Sequence, residues 1–99
     1  MTELDRTIHE PARLRIMMIL SGVDLADFNF LLTALGLSKG NLASHMARLE
    51  AEGYVAITKS FNGKIPHTEY RLTDAGRRNL ANYWRSLDEI RGAGARVRR

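Results

Sequence analysis

Between Leu31 and Leu72 the hydrophobic pattern of this chain changes period once, at Gly53. Before that glycine, Leu42, Met46 and Leu49 follow the i, i+4, i+7 spacing of one helix face. After it, Val55 and Ile57, and then Thr68, Tyr70 and Leu72, alternate with smaller or polar residues as strands do. Between these two strands lies Asn62-Gly63, the strongest short signal for a two-residue hairpin turn. Set as such a turn, it opposes Phe61 to Lys64, Ile57 to Thr68 and Val55 to Tyr70, gathering the apolar members of both strands on one face. Pro66 then stands near the loop, where a missing N–H is tolerated, and a wider loop from Ser60 to Pro66 is the alternative. The chain is therefore expected to be mainly α with a small β-hairpin, an α+β fold with helices on one face of the hairpin.

The helices carry their own punctuation. Thr2 followed by Asp5 resembles a capping box, with Leu4 and Ile8 one turn apart on a short helix. Pro11 disfavours helix at Glu10 and suits the first turn of the next helix, whose apolar stripe is read as Leu14, Met17, Met18 and Leu20, with Gly22 as a left-handed end. Asp27 caps a short helix with Leu31, Leu32 and Leu35, stopped at Gly36, and Ser38 caps the helix from about Lys39 to Glu52. Thr73 caps a last helix, from Asp74 to about Ile90, with Leu80, Tyr83, Trp84, Leu87 and Ile90 down one side and Gly92-Ala93-Gly94 ending it. Residues 1–91 are read as one domain and 92–99 as a basic, disordered tail.

Charge narrows the partner less than it first suggests. The 99 residues carry a net charge of +4, but four of the fifteen basic side chains lie in Arg91–Arg99, leaving eleven bases against eleven acids in the body. Any nucleic-acid role must rest on how charges are arranged. Cysteine is absent, which excludes disulfides, thiol catalysis and Cys-based metal sites. No stretch resembles a transmembrane span or a signal peptide, so a cytoplasmic protein without membrane partners is expected.

The arrangement does point somewhere. Two short helices joined through Gly36, Leu37 and Ser38 form a helix-turn-helix: glycine permits the reversal, Leu37 plugs the angle, and Ser38 satisfies free N–H groups of the third helix. On that third helix Lys39, Asn41, Ser44, His45 and Arg48 are read as facing away from the apolar stripe, with acids only at Glu50 and Glu52. Asn and Arg make bidentate hydrogen bonds to adenine and guanine edges, Ser serves either base, and Lys suits phosphate. The hairpin projects Lys59, Asn62 and Lys64, a wing suited to phosphates along a neighbouring groove. A plain solvated helix and a lysine-guarded edge hairpin are the structural alternatives.

These residues also carry a family resemblance. Asp27-Phe28-Asn29, Leu31, Leu35-Gly36-Leu37-Ser38, Gly40-Asn41-Leu42, His45, Leu49-Glu50 and Gly53-Tyr54-Val55 look like the winged-helix transcriptional regulators of the MarR/ArsR-like group. Tyr70-Arg71-Leu72-Thr73-Asp74-Ala75-Gly76-Arg77 is similar to that group's junction between wing and last helix, and His9-Glu10-Pro11-Ala12-Arg13-Leu14-Arg15-Ile16 to the opening helix of the ArsR-like branch. The resemblance covers roughly residues 8–78 and implies a winged helix-turn-helix with a C-terminal dimerisation helix, acting as a homodimeric repressor of double-stranded DNA targets. Ser38, Lys39, Asn41, Ser44, His45 and Arg48 would form its recognition surface. Metal sensing, which in the ArsR-like branch commonly uses Cys and His, is not carried over.

Other chemistries find little footing. His9, His45 and His67 sit on different elements without ligand spacing, so neither metal nor cofactor is expected. Ser44 and His45 are adjacent on a helix, diverge by roughly 100° and make no nucleophile–base pair, and no phosphate-cradling glycine loop is present; the chain is not expected to be an enzyme. The stripe of Tyr83, Trp84, Leu87 and Ile90 outruns the small body, and pairing with Leu4 and Ile8 of a second copy would bury it. A protein-interaction winged helix and an RNA binder using Phe61 as a stacking residue are the rival classes, and a small-molecule effector is left open.

Overall fold

The computed structural model describes residues 3–97. Its elements run α1 (Pro11–Ser21), β1 (Ala26–Asp27), α2 (Phe28–Leu35), α3 (Lys39–Ala51), β2 (Val55–Asn62), β3 (Ile65–Leu72) and α4 (Asp74–Val97). The three strands form one antiparallel sheet in the order β1-β3-β2. Helices α1, α2 and α3 meet over Ile16, Met17, Leu20, Leu31, Leu42, Met46 and Leu49, and Val55, Tyr70 and Leu72 close the core from the sheet.

The expected caps form. The Asp27 side chain accepts from Phe30 N at 2.6 Å, and the Ser38 side chain accepts from Asn41 N at 3.2 Å. Gly36 adopts φ 67°, the left-handed conformation that lets α2 end and the chain reverse into α3. At the far end of α3, Tyr54 N donates to Leu49 O and Gly53 N to Glu50 O, the paired bonds of a Schellman ending, with Gly53 at φ 79°.

Several expectations are corrected. Leu4 and Ile8 lie on no helix: Asp5 Oδ1 accepts from Thr7 N and Ile8 N, closing a single turn that carries Ile8 fully into the core. Thr2 lies outside the described residues. Met18, placed on the α1 stripe, is 48% exposed, because at roughly 100° per residue it stands some 160° from Leu20, and Ile16 takes its place. Gly22 has φ −99°, so α1 ends without a left-handed residue. Helix α4 does not stop at Gly92-Ala93-Gly94 but continues to Val97. Glycine lowers helix propensity without blocking the hydrogen-bond ladder, as proline would.

The hairpin keeps its faces but shifts its register by two. Asn62 pairs with Ile65, so Gly63 and Lys64 make the turn, and Val55 opposes Leu72 while Ile57 opposes Tyr70. Gly63 alone has positive φ, at 67°, the sign pattern of a II′ turn with glycine first; a turn centred on Asn62-Gly63 would demand positive φ at the asparagine as well. The observed register also sets apolar against apolar across both inner pairs.

The junction into α4 explains the Thr73 to Gly76 segment. Thr73 Oγ1 donates to Gly53 O at 2.6 Å and accepts from Gly76 N at 3.0 Å, while Thr73 N donates to Tyr54 O. A Cβ on Gly76 would stand 2.3 Å from the Tyr54 carbonyl oxygen. Only glycine lets α4 leave the sheet this close to the end of α3.

Candidate nucleic-acid interface

Helix α3 is held by one stripe. Leu42, Met46 and Leu49 are 0%, 1% and 0% exposed, and burying each is worth roughly 1.5–3 kcal/mol. The opposite surface is thereby fixed. Lys39, Asn41, Ser44 and Arg48 are exposed on it, alongside Gly40, Ala43 and Ala47. Ala43 and Ala47 were not singled out from the sequence, and with Gly40 they keep this side of the helix slim. Ser38 is exposed too, but its hydroxyl oxygen is occupied by the Asn41 N–H.

Besides the capping Ser38, the predicted recognition residues separate into two groups. Lys39, Asn41 and Ser44 face outward, whereas His45 and Arg48 lean toward the first turn of α1 and the segment before it. Arg13 donates from Nη1 to Nδ1 of His45 at 3.2 Å, and Glu10 Oε2 lies 3.8 Å from its Nε2. A guanidinium has no lone pair to offer, so Nδ1 is the acceptor and the ring proton sits on Nε2, toward the carboxylate. Arg48 donates to Thr7 Oγ1 at 3.3 Å and approaches Glu52 at 3.7 Å, while about half of its side chain stays exposed. Arg13 Nε in turn donates to Thr7 O at 2.6 Å. Thr7 and Arg13 thus tether two of the predicted site residues, a connection that the sequence reading missed. The helical wheel carried half the signal, since His45 lies only about 60° from Leu42.

The wing extends this surface. Lys59, Asn62 and Lys64 are all exposed, and no carboxylate occurs from Gly53 to Thr68. From Phe28 to Thr68 the only acids are Glu50 and Glu52, against Lys39, Arg48, Lys59 and Lys64. The acids that bound this stretch are Asp27, which caps α2, and Glu69 on β3, so the bases of the wing tip, Lys59 and Lys64, stand apart from any carboxylate in the sequence. At the base of the wing, His67 Nε2 lies 3.5 Å from Glu69.

On the other side of the molecule, the α4 stripe is only half covered. Leu80 and Tyr83 are buried, Leu87 is half-buried and Ile90 is 45% exposed; Trp84 flanks them at 39%. Tyr83 and Ile8, two residues expected on a subunit interface, are inside the protomer's own core, and Leu4 packs against that core. His9 Nδ1 meets the Tyr83 hydroxyl at 2.7 Å beside a cavity of about 340 Å³ lined by Glu10, Pro11, Leu14 and Arg15. Among the described residues no cluster of His, Cys, Asp or Glu forms a metal site, and no helix is long and apolar enough to cross a membrane.

Comparison with known proteins agrees with this architecture. Residues 12–90 match the family model described as a winged helix DNA-binding domain. An uncharacterised protein of Methanocaldococcus jannaschii is 36% identical over 72 residues, 72% of this chain and 77% of that protein. A transcriptional regulator homologue from Pyrococcus horikoshii superposes with a TM-score of 0.82 at 30% identity, over 90% of this chain and 88% of that one. A PadR-family transcriptional regulator from Eggerthella lenta gives 0.68 at 25% identity, over 91% and 87%. An Enterococcus faecalis protein assigned to the MarR family of transcriptional regulators gives 0.71 at 27%, over 93% and 82%. With a family match over most of its length and regulators of transcription among its structural neighbours, this chain belongs to the winged helix DNA-binding domain family and is a DNA-binding regulator.

Proposed function

We propose that the protein is a homodimeric, sequence-specific repressor of transcription that lays α3 in the major groove of double-stranded DNA, acting in the cytoplasm. The observation that carries this reading is the exposed face of α3, slim at Gly40, Ala43 and Ala47 and armed with Lys39, Asn41, Ser44 and Arg48, with an acid only at its C-terminal end, where Glu52 lies beside Arg48. Asn41 and Arg48 read base edges, Ser44 supports them, and Lys39 with Lys59, Asn62 and Lys64 of the wing holds phosphates. His45, tied to Arg13, fixes the rotation of the helix beneath that face. The half-covered stripe of α4 supports the dimer: Leu87, Ile90 and Trp84 continue a buried row past the end of the body, and a second copy of the same helix completes it. Two recognition helices would then stand about 34 Å apart, one turn of DNA.

Footprinting on genomic fragments, run beside sedimentation, tests both parts. The expected pattern is two protected half-sites one helical turn apart, with a dimer mass at micromolar protein. A monomer mass would remove the dimer, and no protection at low salt would remove the DNA reading. Truncation before Gly92 is expected to flatten the salt dependence of binding while leaving the site unchanged, because the arginines beyond it contact phosphate without reading sequence.

A further inference from the structure

The tip of the wing is apolar on both sides. Phe61 is 74% exposed and Ile65 is 69% exposed, more than the other exposed large hydrophobic side chains among the described residues. Phe61 pairs across the hairpin with Pro66, and Asn62 with Ile65, so the ring and the isoleucine project from opposite faces of the ribbon. Neither touches the core, which the sheet contributes through Val55, Tyr70 and Leu72 at the other end of the hairpin. A hairpin guarded only against aggregation would place lysines here. This one surrounds two bare hydrocarbon groups with Lys59, Asn62 and Lys64 and no carboxylate.

That combination selects the occupant. An apolar protein groove would be matched by hydrocarbon alone, and an acidic protein surface by lysines alone. A flat ring on a cationic, acid-free tip suits a polyanion whose interior is made of stacked flat faces. Resting on the DNA reading above, we propose that the wing tip is a minor-groove wedge: Phe61 enters between two base pairs beside the half-site held by α3, and Lys59 and Lys64 hold the flanking phosphates. Insertion unstacks one step and bends the duplex toward the major groove. Easily unstacked pyrimidine–purine steps are therefore favoured at a position that no side chain reads by hydrogen bonding.

The test uses full-length protein and duplexes from the pool it enriches, labelled with dyes at both ends and with 2-aminopurine at successive steps. The wild type is expected to brighten 2-aminopurine at one step outside each α3 half-site and to shorten the end-to-end distance. Phe61→Ala abolishes both signals and weakens binding roughly 5- to 100-fold, the range of one lost base–aromatic contact, with the salt slope unchanged. Phe61→Trp keeps both signals, and Lys64→Ala lowers the salt slope instead. Because the ring is exposed, neither Phe61 variant is expected to alter the melting temperature. Wild-type binding with bend and fluorescence unaffected by Phe61→Ala overturns the wedge and leaves the α3 reading intact. A change of sedimentation mass in Phe61→Ala also overturns it, by making the tip a protein contact. Wild type that binds no duplex overturns both.

Discussion

Helices α3 and α4 both carry an apolar stripe, and the body of the protein treats them differently. In α3 the stripe is completed within the protomer: Leu42, Met46 and Leu49 are sealed between α1, α2 and the sheet. In α4 the same kind of row is sealed at Leu80 and Tyr83 and then runs off the body, leaving Ile90 45% exposed. With 24 residues α4 is about 36 Å long, more than the domain beside it can cover. A helix whose apolar face is satisfied at home can present its polar face to a ligand. A helix whose apolar face is left open has surface to offer another molecule. On the function proposed above, the two helices divide recognition from assembly.

This contrast can be broken by substitution. Leu42→Ala is expected to destabilise the protomer by about 2–5 kcal/mol in thermal or urea unfolding, because the cavity has no room to collapse. Ile90→Ala should move protomer stability by no more than about 0.5 kcal/mol. Equal losses at the two positions would erase the distinction. Gly76→Ala comes next, at about 3 kcal/mol, since its methyl group meets backbone rather than a yielding side chain. Ile90→Asp sharpens the other half of the comparison. It is expected to raise the dimer dissociation constant at least about tenfold in sedimentation, a change near 1.4 kcal/mol, without altering the secondary structure seen by circular dichroism.

The smallest effect concerns how the start of the chain is pinned beside α3. The Tyr54 hydroxyl donates to Asp5, and burial, that bond and the negative charges of Asp5 and Glu52 push the phenol well above the usual tyrosine range. Burial likewise raises Tyr70, with Glu50 adding to it, and Tyr83. The folded chain thus holds these protons more tightly than the unfolded one, so the stability they contribute is present at neutral pH. It is lost as pH rises beyond about 10, where unfolded tyrosines ionise. Tyr54→Phe is expected to lower stability at pH 7 by about 1 kcal/mol and to make the alkaline decline shallower, as followed by melting between neutral pH and pH 11.

The elements that the sequence made legible are those long enough to show a period. Residues 28–51 announce two capped helices, and the polar side of the second could be read directly, as could the hairpin faces. What escaped has physical reasons. Strand β1 is two residues long, and Asp27 serves both as its end and as the cap of α2, so no alternation exists to be seen. The hairpin register turned on whether asparagine or glycine takes the first position of the turn, and two registers with the same faces differ only in which pairs meet. Leu4 and Ile8 share helical spacing, but four residues also describe one turn of loop tied by Asp5. The tethers on His45 and Arg48 come from Thr7 and Arg13, more than thirty positions away in sequence, and no local pattern encodes them.

The central claim is that the outer face of α3 reads DNA, and selection of sites from random double-stranded DNA tests it most directly. Wild-type protein is expected to enrich a near-palindromic site with half-sites about 10 base pairs apart. Asn41→Ala is expected to enrich a site with one base position in each half-site relaxed, at about 1–3 kcal/mol lower affinity for the parent sequence. The contradicting result is no enrichment at low salt, or the same site enriched unchanged by an Asn41→Ala, Ser44→Ala, Arg48→Ala triple variant that remains folded.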